Sequence, residues 1–463
     1  MSTVVTITEA HVREDEAITI TQEAPIFDST QLFSERVRRW QPPAIASLEP
    51  LAEAPGMMNL IVGKPNPDCF PFSGMSINLK GVEEPIQLGD KDLQNAFQYA
   101  LMPGGMPELR QWFEAFQAKL HKSGPTGTWG CGIGSGSQDL LYKAFQVFTD
   151  PGDSILVDTP AYSGVLGFLN ADGHNLVEVP SDAEGLNSPE LERILATWPH
   201  DKHRSPRVLY TVPTGSNPTG LTCSEKRRIE VLRLAKKYNF LIFEDDAYYF
   251  LDFSTTYPKP RSYLSLEKEI TNQTGRVLRF DSLSKIVSAG MRIGFLTTSC
   301  LPALKAVNMI TGNTNLQASS ISQVIALSLF RKWGHGGFLQ HAARTAEFYK
   351  HRRDLLLAAA ERHLRGKAKW EAPQAGMFLW MELLLPEQEK DSFEVLRKYA
   401  SQAGVLAVPG TAFLPRGGKS GFVRLSYSLL SDDEGVADEV CRRIGVLVDL
   451  AWGNCAVNGD GGL

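Results

Sequence analysis

The amino-acid sequence predicts an α/β protein: a large domain on a mostly parallel sheet, followed by a smaller α+β domain. Three observations predict this. Short strand-like runs recur at 155–157, 208–212, 240–243, 276–280 and 293–297. Helical spacing fills the stretches between several of them, and strands interleaved with helices imply the crossover connections of a parallel sheet. Most of the runs end in loops rich in chemically able side chains, where open sheets of this kind bind ligands.

The totals set bounds. A chain of 463 residues, 43% hydrophobic, suffices for a sizeable core and for two or three lobes. The net charge of -5 argues against a nucleic-acid partner. No run approaches the ~18 apolar residues of a bilayer span. The six cysteines form no CxxC and the nine histidines show no ligand spacing, so neither a metal site nor a disulfide framework is expected. Scattered reduced thiols fit a cytoplasmic protein. Glu9, Glu14, Asp15, Glu16 and Glu23 fit neither a secretory signal nor a mitochondrial presequence, and residues 1–40 read as a flexible arm.

Taken in order, a helix is expected over 29–40, stopped by Pro42 and Pro43. Residues 41–89 form an N-terminal segment contributing to the small domain and the site. Within it, 58–62 reads as a short strand running into Gly63-Lys64-Pro65-Asn66-Pro67, dense in turn formers. The large domain spans 90–330. It opens with a helix over 90–100, ending in Tyr99, and an amphipathic helix over 106–121 whose Leu109, Trp112, Phe113, Phe116 and Leu120 make a core stripe. Gly132-Ile133-Gly134-Ser135-Gly136-Ser137-Gln138 then opens another helix, where free backbone N–H groups can hold an anion. It is not GxGxxG, since Ser137 takes the last glycine place, and no Gly-Lys-Ser/Thr follows to make a P-loop.

The run 155–157 leads to Pro160-Ala161-Tyr162, and 208–212 leads to Asn217-Pro218-Thr219-Gly220. The next helix begins with Thr222 and Glu225 in capping-box spacing and runs to about residue 238. The run 240–243 leads to Glu244-Asp245-Asp246-Ala247-Tyr248-Tyr249, and 276–280 leads to Ser282-Leu283-Ser284-Lys285, with Arg292 seven residues on. The smaller domain, 331–450, has a long helix over 338–363, strands over 377–381, 405–410 and 422–427, and helices over 393–403 and from 432. Residues 451–463 read as a frayed tail.

A lysine among hydroxyl residues suits two roles: a Schiff-base amine, or the partner of a serine nucleophile. Ser282 and Lys285 do have SxxK spacing, but the Ser-Asp-Asn, Lys-Thr-Gly and GxSxG elements of serine hydrolases are missing. Tyr162, Asn217, Asp245, Tyr248 and Lys285 all fall just past expected strand ends, and that coincidence marks the site.

These stretches together, with Arg424 in its strand, resemble the fold-type I pyridoxal-phosphate-dependent aminotransferases. The resemblance is strongest to fungal aromatic aminotransferases and kynurenine/2-aminoadipate aminotransferases, and it runs from about Pro42 to Val448. It implies a seven-stranded sheet and a homodimer. It implies pyridoxal 5'-phosphate as cofactor, with Lys285 as its Schiff-base lysine and proton carrier in a ping-pong transamination. Asp245 is then the partner of the pyridine nitrogen. Asn217 and Tyr248 donate to the ring hydroxylate, and Tyr162 stacks on the ring. Ser137, Gln138, Ser282, Ser284 and Arg292 hold the phosphate, with Tyr99 reaching it from the neighbouring subunit. Arg424 binds the substrate carboxylate, with Asn217 beside it. Gly63 approaches the substrate, and Phe378 either lines its side-chain pocket or belongs to the core. One departure bears on specificity: Ala46 stands where 2-aminoadipate enzymes of this kind often carry arginine. The resemblance therefore implies aromatic donors, with a broad kynurenine/2-aminoadipate activity as the alternative. A lyase or decarboxylase would share the cofactor. A cofactor-sensing regulator would need a DNA-binding domain ahead of 41, where only an acidic stretch stands.

Overall fold

The computed structural model describes residues 24–41, 48, 51, 54–58, 60, 63–100, 102–121, 127–254 and 258–453. The Pro42-Pro43 stop, Ala46, most of the expected arm and tail, and Asn59, Ile61 and Val62 of the expected 58–62 strand lie outside the described residues.

The strands described are, in chain order, β1 (Ser76–Ile77), β2 (Ile86–Gln87), β3 (Gly130–Gly134), β4 (Ser154–Thr159), β5 (Asn175–Asp182), β6 (Gly185–Leu186), β7 (Val208–Thr211), β8 (Leu241–Asp245), β9 (Val277–Ser282), β10 (Gly294–Thr298), β11 (Ala368–Trp370), β12 (Phe378–Leu383), β13 (Val408–Pro409) and β14 (Phe422–Ser426). The large sheet has the order β3-β10-β9-β8-β7-β4-β5-β6. Seven strands form its body, and only β10 among them runs against the rest. The eighth, β6, is a two-residue edge strand folded back on β5.

Helices on both sides explain why the central strands carry apolar residues on both faces. Leu156, Leu209, Ile242 and Val277 face one cluster, with the helices Ser188–Ala196, Glu225–Tyr238 and Tyr263–Thr271. Val157, Tyr210, Phe243 and Phe280 face the other, with the helix Ser137–Phe148. Both sheet faces are therefore buried, and only the strand ends remain for chemistry. β3 carries three glycines and no strand propensity, which hid it from the sequence reading. Leu304 occupies the space that a side chain on Gly132 would need.

Two local expectations change. The 29–40 helix is two pieces, a 3₁₀ turn over Ser29–Leu32 and a helix over Glu35–Arg39. Ser34 divides them: its N–H bonds Val147 O at 2.7 Å, and its hydroxyl caps Val37 N at 3.0 Å. The helix Glu225–Tyr238 is capped by Ser224, which accepts from Arg227 N at 3.3 Å. Thr222 is engaged elsewhere, its hydroxyl accepting from Gly215 N at 3.2 Å.

The four-stranded sheet β11-β12-β14-β13 belongs to the smaller domain. The expected 405–410 strand is reduced to Val408–Pro409. Helix 338–363 is the second part of Ser320–His363, which is interrupted at Gly334 (φ 59°, ψ -177°). The two lobes meet backbone to backbone. A Cβ on Gly215 would lie 2.7 Å from Gly376 N, and one on Gly376 would lie 2.8 Å from Gly215 O. No helix among the described residues is long and apolar enough to cross a membrane.

Candidate active site

The C-terminal ends of β7, β8 and β9 face a cavity of about 330 Å³, closed on its far side by β12 and β14. Ser137, Gln138, Tyr162, Asn217, Asp245, Tyr248, Ser282, Ser284, Lys285, Arg292, Phe378 and Arg424 all line it. Gly63 and Tyr99 do not. Gly63 is exposed with open space around it, and Tyr99 is 46% exposed beside Lys64 and Met102 in a separate hollow. A wider hollow among Arg36, Arg39, Asp150 and Asp153 lies beside the N-terminal helix and contains none of the expected site residues.

Strand geometry sorts the three acids at the end of β8, because successive side chains point to opposite faces. Glu244 and Asp246 turn to one side, where fully buried Arg279 pairs with both, at 3.2 and 2.7 Å, and with Asp281 at 2.8 Å. Asp245 turns to the cavity. Tyr210 donates to its Oδ2 at 2.8 Å, while its buried Oδ1 has no hydrogen-bond partner. Burial raises the Asp245 pKa to about 7. Asp246 and Asp281 push the same way, and the Tyr210 bond and Lys285 oppose them. Lys285 closes the short turn after β9, and burial lowers its pKa against the pull of Asp245. The Tyr248 phenol is raised, chiefly by burial, while a hydrogen bond with Asn217 pulls the other way.

The other wall is a polar cradle. The helix Ser137–Phe148 begins after Gly136 with no side-chain cap, so its first N–H groups lack intrahelical partners. Gly136 has φ 92°, and a side chain there would run into the Arg292 guanidinium. Arg292 donates to Ser284 Oγ at 3.2 Å and to Ser135 O at 3.4 Å. Gly294 leaves room for the same helix end, since a Cβ on it would strike Ser137 N. Tyr162 reaches across to Gln138 Oε1 at 3.1 Å.

Arg424, at the centre of β14, donates to Asn217 Oδ1 at 2.9 Å. Phe378, from β12, covers its guanidinium and sets its edge against Tyr248. The sequence reading missed Tyr210. It sits in a fully buried strand, where composition does not reveal which side chain faces the site. Chemically, the cavity joins an amine, a buried acid, an uncapped helix end beside the Arg292 guanidinium, and a second guanidinium, Arg424.

A profile described as aminotransferase class I and II matches residues 128–444. The chain is 52% identical to aminotransferase tdiD of Emericella nidulans, over 92% of this chain and 97% of that protein. It is 38% identical to the mitochondrial kynurenine/alpha-aminoadipate aminotransferase of Mus musculus, over 90% and 98%. The crystal structure of the aromatic aminotransferase Aro9 from Candida albicans superposes with a TM-score of 0.77 at 28% identity, covering 92% of this chain and 99% of that one.

Proposed function

The chain belongs to the class I and II aminotransferases, and from that premise we propose that it uses pyridoxal 5'-phosphate, bound at Lys285, to transaminate aromatic L-amino acids. Tryptophan, phenylalanine or tyrosine is the donor, and a 2-oxo acid such as phenylpyruvate or 2-oxoglutarate is the acceptor. The observation that carries the reading is the meeting, in one cavity, of Lys285 with a buried carboxylate oxygen, Asp245 Oδ1, that no protein group satisfies. Buried acceptors are rarely left so, and a protonated pyridine nitrogen is a donor of the right kind. The uncapped helix end and Arg292 fit a phosphate in the same way.

When bound, the cofactor supplies a carbonyl for the amine and an electron-withdrawing ring. Lys285 is the amine that would anchor it and then take the proton from the substrate Cα. The lowered basicity of Lys285 suits that work near neutral pH. Asp245 would hold the proton on the ring nitrogen. Asn217 and Tyr248 would donate to the ring oxygen, and Tyr162 would cover the ring face. The N–H groups of Ser137 and Gln138, with Ser282, Ser284 and Arg292, would hold the phosphate. Arg424 would bind the α-carboxylate as a two-pronged donor, with Asn217 beside it. Tyr99 and Gly63 would serve the site from their exposed positions, Tyr99 reaching the phosphate of a second copy in a homodimer. We place the enzyme in the cytoplasm.

Phe378 and Tyr248 offer aromatic surface near Arg424, and Ala46 offers no charge to an acidic side chain, so aromatic donors are preferred. The likeness to the mouse enzyme favours kynurenine and 2-aminoadipate as the second reading. Adding single amino acids to the loaded enzyme without a 2-oxo acid tests both. Bleaching of the yellow cofactor band by tryptophan, phenylalanine or tyrosine, but not by 2-aminoadipate, is expected. Equal bleaching by 2-aminoadipate or kynurenine would select the second reading, and no bleaching by any donor would overturn both. Lys285→Ala is expected to fold and to lack transamination, and a fully active variant would refute the assignment of Lys285.

A further inference from the structure

A half-buried guanidinium ordinarily finds a carboxylate, but the hydrogen bond described for Arg424 goes to the Asn217 amide oxygen and its buried Nε has none. Two aromatic faces stand in for the acid. The Arg424 Cζ lies 4.2 Å from the Phe378 ring centroid and 5.0 Å from that of Phe413. The two rings differ in kind. Phe378 lines the cavity and touches whatever enters it. Phe413 is fully buried and is not among the lining residues. Behind it, Trp380 meets the Phe413 ring edge-on at 5.5 Å and stacks on Phe422 at 5.1 Å. Trp380 is also the register partner of Arg424 across β12 and β14. On the other side, the Phe413 carbonyl accepts from Ala161 N at 2.9 Å, next to Tyr162.

We propose that Phe413 is a positioning residue for recognition of the substrate carboxylate, holding Arg424 by its ring face. The inference rests on the reading of Arg424 as the carboxylate receptor. An aromatic face attracts a cation through its quadrupole without occupying an N–H donor. A carboxylate at the same place would hold the arginine too, but would occupy its fork and cancel its charge, so that the substrate would have to compete for both. An aliphatic side chain would leave the guanidinium held by Phe378 and Asn217 alone. The Trp380–Phe422 stack keeps the ring from turning away. Because Phe413 lies behind the arginine, its effect on a ligand passes through Arg424.

The test uses the cofactor-loaded enzyme, with L-phenylalanine and L-2-aminoadipate as donors, L-phenylalaninamide as a ligand without the carboxylate, and the variants Phe413→Leu and Arg424→Leu. A cation–π contact of this kind corresponds to about a two- to thirty-fold change in binding. Phe413→Leu is expected to raise KM for whichever donor is consumed by that factor, to leave kcat within about two-fold, and to leave phenylalaninamide and cofactor binding unchanged. If Phe413→Leu does not fold, Phe413→Met, closer in volume, serves. Unchanged KM, or an equal loss for phenylalaninamide, would overturn the proposal while Arg424→Leu still raised KM. If Arg424→Leu left KM unchanged, the carboxylate-receptor reading itself would fall, and the role of Phe413 with it.

Discussion

Asp245 shows how one residue can be poorly placed for stability and well placed for chemistry. Its carboxyl titrates near 3.8 when unfolded and near 7 in the folded, cofactor-free chain, with burial as the main cause. An acid whose pKa is raised by folding contributes stability that is fully present below 3.8 and is lost as the pH rises through about 7. Asp245→Asn should therefore stabilise the cofactor-free protein at pH 8 by on the order of 3 kcal/mol, and by less at pH 5. Urea unfolding at the two pH values checks this, and an equal gain at both would contradict it. The same variant should slow the amino-donor half-reaction about 10- to 100-fold, the worth of a charge-assisted hydrogen bond. Asp245 and Lys285 were legible in the sequence because each follows closely on a strand-like run: Asp245 ends β8, and Lys285 stands in the turn after β9. Tyr210 and Phe413 were not, because an aromatic among apolar neighbours looks like core until its partner is seen.

At the scale of elements, two contacts hold the site in shape. The first is the close approach of β10 to the start of the helix Ser137–Phe148, which Gly294 permits. Gly294→Ala pushes a methyl group into the Ser137 backbone. It should cost about 1–3 kcal/mol, the usual range for overpacking, and should speed cofactor loss on dialysis. Unchanged stability together with unchanged cofactor retention would show that the helix end moves freely. The second contact is the buried Arg279 with its three carboxylates, which binds β8 to β9. Arg279→Met leaves those acids without their cation and should destabilise by about 3–5 kcal/mol, measured by denaturant unfolding. Element boundaries followed the sequence where periodicity was strong, as in the helix Pro107–His121. They departed from it where a tertiary contact decided, as with Ser34 splitting the first helix. Strand alternation separates Asp245, which faces the cavity, from Glu244 and Asp246, which face Arg279.

Across the whole molecule, the site is assembled from both lobes. Arg424 and Phe378 come from the smaller sheet, Asp245 from the larger, and Asn217 and Lys285 from the loops that follow its strands β7 and β9. We read 90–330 as the large domain and 331–450 as the small one. The interruption of the long helix at Gly334 lies close to that boundary. Besides the Gly215–Gly376 contact, the seam carries Phe253 N to Gln374 O at 2.8 Å and Gly376 N to Leu251 O at 2.9 Å. Gly376 has φ 85°, so Gly376→Ala would both strain the backbone and wedge the lobes apart. It should change kcat and KM together, each by roughly three- to ten-fold, while the cofactor stays bound. Steady-state kinetics beside the cofactor absorbance spectrum check this, and a change confined to cofactor content would contradict it.

The Gly215–Gly376 contact carries a further consequence. Where two lobes touch through side chains, any shift must re-sort rotamers, each in its own well. Where bare peptide planes touch, no rotamer has to change, and what resists a shift is the backbone hydrogen bonding beside them, Gly376 N to Leu251 O among it. The resting position of the lobes then depends on those hydrogen bonds and on the side chains around them. Substitutions elsewhere along the seam should then alter which position is preferred, whereas a side chain at either glycine should also force the two backbones apart.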